Sequence, residues 1–179
     1  ITILEYFRLR RSKENLDEIV ICENPEIFEE AKKLGKGVIF MSGHQANWEA
    51  ALLDITRHIS GVAVGKPIKN PYLYDWVVSL REMFGGKVIN PKKAISTGIK
   101  ELQKGHFVGM ACDQALPESS YSHSFLGVRA WSSSSPALLS YRTGAPLVVL
   151  TIQRKSEKYY IRYSPLMWPN RNNSLKPEV

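Results

Sequence analysis

The chain has 179 residues, 44% apolar and 23% charged, with a net charge of +7 and two cysteines. That length suits one domain with a sizeable core, the composition excludes a largely disordered chain, and no apolar run reaches the ~18 residues that suggest a spanning helix. The excess of lysine and arginine favours anionic partners, whether nucleic acid, phospholipid headgroups, a phosphorylated glycolipid or an acidic carrier protein, and does not choose among them.

In chain order, "ITILEYFRLRR" is amphiphilic with a basic end and reads as an N-terminal surface helix, the last turns of a helix leaving a membrane being the lesser alternative. Asn24 and Pro25 are an N-cap and a first-turn proline for a helix with glutamates early and lysines late, closed by Gly35 and Gly37. "VIFM" (38–41) is a buried strand, and Trp48, Leu52, Ile55 and Ile59 follow at helical spacing. "VAV" (62–64) is a strand, and Leu73, Trp76, Val77, Leu80 and Phe84 mark the next helix. "KVINP" is a strand stopped by Pro91, and Ile95, Ile99 and Leu102 lie on a helix ending at Gly105. "FVGMAC" (107–112) is a strand, and "SSPALLSYRTG" is a short helix capped by Ser135 and closed by Gly144. "LVVLTI" and "YYIRY" are two final strands, and the polar last ten residues are expected to be loosely held.

Alternating apolar strands and helices predict a three-layer α/β/α fold with a mostly parallel sheet, the last two strands being candidates for an antiparallel edge. In such sheets ligands bind outside the carboxyl ends of the strands. Three polar residues fall there: His44 after "VIFMSG", Lys66 after "VAVG" and Asp113 after "FVGMAC".

His44 is followed five residues later by Glu49 in "GHQANWE". Inside one helix residues five apart point about 140° away from each other, so the two can pair only if His44 precedes the helix and Glu49 lies in its early turns. The turn residues Ser42 and Gly43 allow that arrangement. A carboxylate that fixes the imidazole's tautomer and stabilises its protonated form makes a general base. The same spacing also fits a His44 that caps the helix and a Glu49 that complements its dipole.

Other chemistries lack their patterns. Cys22 and Cys112 form no CxxC or zinc spacing; they read as reduced, buried thiols, with Cys112 as an acyl-carrying nucleophile the lesser alternative. There is no HExxH, and Ser42 is in no GxSxG elbow, so neither a metal set nor a serine hydrolase is indicated. His58, His106 and His123 read as surface or turn residues. The serines at 132–135 could offer amides to a phosphate at a helix start, or simply cap the helix.

The text around His44 resembles the signature of the glycerolipid acyltransferases, and its Asn-Trp-Glu ending is most similar to the branch that makes lipid A, the Kdo-lipid IVA lauroyl- and myristoyltransferases of Gram-negative bacteria. Three further segments follow in the family's order: "KPIKNPYLYDWVVSLREMFGGKVI", with Arg81; "GMACDQ", with Asp113 and Gln114; and "FLGVRAWSSSSPALLSYRTGAPLV". Gln45 departs from the aromatic or small residue usual after the histidine, and "ALPESSYSHS" is more polar than the family's segment.

The resemblance implies an O-acyltransferase that moves a fatty acyl group from acyl carrier protein to a hydroxyl of a lipid A precursor, at the cytoplasmic face of the bacterial inner membrane. It implies His44 and Glu49 as the catalytic pair, with Glu49 orienting His44. Arg81 would bind an anion or oxyanion, Asp113 would position local donors and Gln114 would contact substrate, with Lys66, from its place at a strand end, a further candidate for substrate contact. No metal and no cofactor are implied beyond the carrier thioester as co-substrate; the partners would be the carrier, a phosphorylated glycolipid and a membrane surface, with no nucleic acid. The chain is expected to be a fragment, one acyltransferase domain over 1–179 without the family's N-terminal apolar anchor and C-terminal helical region. The competing readings are a basic nucleic-acid-binding module, a thioesterase and a non-catalytic glycolipid-binding relative.

Overall fold

A computed structural model describes residues 3–114 and 120–170. Its elements are α1 (Ile3–Arg11), α2 (Leu16–Ile19), β1 (Val20–Cys22), α3 (Glu26–Leu34), β2 (Val38–Ser42), α4 (Trp48–His58), β3 (Gly61–Val64), α5 (Pro71–Arg81), β4 (Lys87–Ile89), a 3-10 turn (Pro91–Lys93), α6 (Ala94–Gln103), β5 (Phe107–Ala111), β6 (Ser120–Phe125), β7 (Val128–Ser133), α7 (Ser135–Thr143), β8 (Leu147–Lys155) and β9 (Lys158–Tyr163).

Seven strands form one sheet in the order β1-β9-β8-β2-β5-β3-β4. β8, β2, β5, β3 and β4 run parallel, whereas β9 is antiparallel to β8 and parallel to β1. The expected antiparallel addition is present, with β1 rather than β9 at its outer edge. Residues 171–179, most of the stretch expected to be loosely held, lie outside the described residues, as does part of the polar segment after Gln114.

Period-two alternation divides the core. Val38 and Phe40 of β2, with Phe107 of β5 and Ala63 of β3, pack with Phe28, Leu53, Leu80 and Leu9 from α3, α4, α5 and α1. Ile39, Val62 and Val108 pack on the opposite face with Leu102 of α6 and Leu139 of α7. This is the three-layer arrangement the strand–helix alternation calls for.

Two caps differ from expectation. Asn24 does not cap α3 with its side chain; its Nδ2 donates to the Tyr163 carbonyl at 2.9 Å and its Oδ1 accepts the Tyr163 amide at 3.0 Å, extending the sheet edge instead. α7 begins at Ser135 itself, and the Ser133 hydroxyl accepts the Ser135 amide at 3.3 Å. Gly35 and Gly144 close α3 and α7 in the left-handed conformation, as expected.

β6 and β7 form a separate two-stranded antiparallel hairpin between β5 and α7. No core periodicity marks it, because neither strand contributes to the two core clusters.

Candidate functional site

The site is built where β2 and β5 end side by side. Their register pairs Ser42 with Ala111, and the Cys112 amide continues the ladder to the Ser42 carbonyl at 2.9 Å. Two residues beyond each strand, His44 and Asp113 are therefore neighbours. The His44 backbone amide donates to Asp113 Oδ2 at 2.8 Å, and the His44 ring Nδ1 lies 2.7 Å from Asp113 Oδ1. Burial raises the Asp113 carboxyl, but hydrogen bonds from the His44 amide and ring outweigh it and hold the group below its ordinary range. An ionised carboxylate facing Nδ1 requires the proton there, which leaves Nε2 as the acceptor.

The expected pairing of His44 with Glu49 is not the one that forms. Glu49 sits in the first turn of α4 with its side chain turned inward, 1% exposed. There Arg81, from the last turn of α5, donates Nε to Glu49 Oε1 and Oε2 at 3.1 and 2.9 Å and Nη2 to Oε1 at 2.6 Å. The Tyr6 hydroxyl of α1 adds a donor to Oε1 at 2.6 Å. A carboxylate this deep needs a cation and full hydrogen bonding, and Arg81 and Tyr6 supply both. Burial pushes the Tyr6 hydroxyl up, and the adjacent Glu49 charge pushes it further. Desolvation lowers the Arg81 guanidinium, yet its bonds to Glu49 more than offset this and raise it.

Arg81 thus gives Nε and Nη2 to Glu49 and keeps Nη1 outside that pairing. Its guanidinium lies 4.5 Å from the Trp48 ring centroid, and a Cβ at Gly65 would come within 3.1 Å of Val88 Cγ1 and 3.3 Å of Arg81 Nη1, so glycine there lets the turn after β3 pass close by without crowding either side chain. The Trp48 ring meets the His44 ring edge-on at 6.1 Å between centroids. Trp48 thus links the two pairs.

A cavity of about 490 Å³ opens at this edge, a volume within the ~300–1,000 Å³ typical of small-ligand sites. His44, Lys66, Arg81 and Gln114 line it together; Asp113 stands behind His44 and Glu49 behind Arg81. Toward the interior its wall is apolar, with Phe40, Leu52, Ile55 and Leu150, and it is roomy because Ala51, Ala63, Gly109 and Ala111 are small. A polar rim over an apolar interior suits a substrate with a reactive head and a hydrocarbon tail.

The sequence model of one family, bacterial lipid A biosynthesis acyltransferase, matches residues 1–175. The chain belongs to this family of acyltransferases. No curated protein matches it. Membership settles the choice between an enzyme and a nucleic-acid-binding module in favour of the enzyme.

In this lipid A acyltransferase, Cys112 lines the same cavity, but burial, and then the charge of Asp113, pushes its thiol up to about 11. That suppresses the thiolate a nucleophile requires. His106 pairs with Glu101 at 2.7 Å, and His58 stacks on Phe28, both away from the cavity. Among the described residues no helix of the acyltransferase is long and apolar enough to cross a membrane.

Sequence reasoning missed Tyr6 and the contact of Asp113 with His44. Tyr6 has no signal beyond its place on an amphiphilic helix. The contact follows from β2 and β5 being adjacent and in register, a fact of strand order that no local pattern carries.

Proposed function

We propose that this acyltransferase moves a fatty acyl group from acyl carrier protein to a hydroxyl of a lipid A precursor, with His44 as general base and Asp113 as the carboxylate that orients it. The carrying observation is the His44 ring, held at Nδ1 by Asp113, on the rim of an apolar cavity. Nε2 of His44 takes the proton of the acceptor hydroxyl as its oxygen attacks the thioester carbonyl. The carbon–sulfur bond then breaks, and the departing sulfur takes the proton back from the imidazolium. Nη1 of Arg81, the guanidinium nitrogen not engaged by Glu49, and the exposed Lys66 ammonium are the cations at the rim for the developing oxyanion and for substrate phosphate. The acyl chain lies in the interior among Ala63, Gly109 and Ile55, and Gln114 contacts the head of a substrate. The net charge of +7 suits both an acidic carrier and a phosphorylated glycolipid. We assign the reaction to the cytoplasmic face of the inner membrane, with no cofactor beyond the carrier thioester.

The test is transfer from acyl carrier protein thioesters to a lipid A precursor, with the products weighed. His44→Ala, folded by circular dichroism, is expected to lose activity by ~10³-fold or more. Full activity in that variant would reject the mechanism. Acid released equally with and without the acceptor would identify a thioesterase instead.

A further inference from the structure

The β6–β7 hairpin ends in Phe125–Leu126–Gly127–Val128, a tight turn with Leu126 and Gly127 both at positive φ. Leu126 is 89% and Phe125 61% exposed, and Val128 is exposed beside them. Alternation places Tyr121, Phe125 and Val128 on one face of the ribbon, and Arg129 and Trp131 on the other. On that second face Arg129 stacks over Trp131 at 5.0 Å and donates to the Ser122 hydroxyl at 3.1 Å. Its strand ends in Ser133, which lines the cavity. The hairpin thus springs from the rim of the site, and six residues per strand carry its tip roughly 20 Å from its base. A two-stranded ribbon with an apolar face in water is marginal by itself, so this one calls for an apolar partner.

Two more exposed apolar residues occupy the same edge of the sheet. Tyr72 stands in the first turn of α5, which starts there. α1 runs parallel to α5, with Phe7 against Trp76 and Arg10 bonded to Ser79, so exposed Leu4 lies level with that first turn. Around them Lys66, Lys69, Lys92, Lys93 and Arg129 are all exposed, and none is ion-paired among the described residues.

We infer that this edge docks on an anionic bilayer, with the Phe125–Leu126 tip inserted among the lipids and the lysines against their headgroups. The shape decides for a bilayer over a protein. A specific protein interface buries about 800 Å² per partner against a complementary surface, whereas a projecting apolar tip on a sheet edge that also carries exposed cations outside any ion pair matches the apolar-plus-basic composition of interfacial anchors. The cavity mouth opens on the docking edge, so a lipid acceptor would reach His44 from the membrane; this last step rests on the proposed reaction, whereas the docking itself does not.

The test is co-sedimentation with vesicles of phosphatidylcholine alone and of phosphatidylcholine with phosphatidylglycerol, for the unaltered chain and three variants. The unaltered protein is expected to bind the anionic vesicles preferentially. Phe125→Ser with Leu126→Asn, the asparagine suited to positive φ, is expected to weaken that binding at least ~10-fold. Lys92→Gln with Lys93→Gln is expected to weaken it about fivefold per lysine. Trp168→Ser, which removes an exposed ring near the Met167–Leu147 bridge where β8 begins, at the opposite edge, is expected to leave it unchanged. No sedimentation with anionic vesicles at low salt, equal binding by the tip variant, or equal loss in Trp168→Ser would overturn the inference. A tip variant that keeps vesicle binding and loses an acidic carrier protein instead would assign the edge to a protein. Transfer to a detergent-dispersed acceptor, followed in parallel, is expected to survive in the tip variant, which separates failure of docking from failure of the chemistry.

Discussion

Asp113 holds His44 at two points, one oxygen on the backbone amide at 2.8 Å and the other beside the ring nitrogen at 2.7 Å. Both bonds ask for a carboxylate. Asp113→Asn turns one of the two acceptors into an NH₂ donor and no longer dictates which ring nitrogen carries the proton. Turnover is expected to fall by about 10²–10⁴-fold with little change in KM, measured by steady-state transfer kinetics on a variant whose thermal melt is near normal. The pH dependence has a definite sign. Because the folded carboxyl is held low, the stability its bonds lend is present above the ordinary aspartate value near ~3.9 and is lost as pH falls through the lowered folded value.

Glu49 and Arg81 make a different kind of pair. Glu49→Gln leaves a guanidinium buried without its counter-charge, and Arg81→Met leaves the carboxylate so. Each single change is expected to cost about 3–5 kcal/mol of stability. The double variant Glu49→Gln with Arg81→Met is expected to recover much of that loss, since neither charge is left unpaired. Denaturant unfolding of the four proteins closes the cycle. Additive losses would show that the two side chains do not act as a unit.

Cys112 offers a probe of the cavity wall. With its thiol pushed up to about 11 by burial and by Asp113, alkylation by iodoacetamide is expected to be slow at pH 8 and to quicken about tenfold per pH unit up to the thiol's own value. Asp113→Asn removes one of the two causes, so it is expected to speed the reaction at fixed pH. Rapid labelling of the intact protein at neutral pH would contradict the burial.

Ala46, in the turn between His44 and α4, is held at φ 44. That conformation costs a non-glycine residue about 1 kcal/mol or more. Ala46→Gly is expected to stabilise the protein by up to about 1 kcal/mol, read as a raised Tm, with the His44–Asp113 contact intact. A lower Tm would mean that the alanine methyl contributes packing that outweighs the strain.

Gly109 lines the cavity in the middle of β5, and a Cβ there would meet the Phe107 ring at an ordinary 3.5 Å. Gly109→Leu is therefore expected to fold and to occupy interior space. Competition between acyl thioesters of two lengths is expected to shift toward the shorter by about 10-fold or more in kcat/KM. An unchanged ratio would place the acyl chain elsewhere.

The strands and helices of the layered core were legible in the sequence because each has a buried face, and burial writes period two or 3.6 into the residues. The gathering of His44, Lys66 and Asp113 at one edge followed from the strand ends alone. Which carboxylate serves the histidine did not. Glu49 is nearer in the chain, but Asp113 is nearer in space because β5 lies directly beside β2. Asn24 misled in a similar way: its capping chemistry is local, and the backbone of Tyr163, 139 residues later, takes it up instead. The β6–β7 hairpin went unseen because serines and outward-facing aromatics carry no core periodicity.

The Tyr6 hydroxyl on the Glu49 carboxylate makes the opening helix a part of the site's foundation. A shortened protein beginning at Asn15 would strip that hydroxyl away and uncover the Trp76 ring against which Tyr6 and Phe7 rest. Water would then reach the carboxylate that pins Arg81. Trimming at the front would so be felt at the cavity wall, far along the chain from the cut.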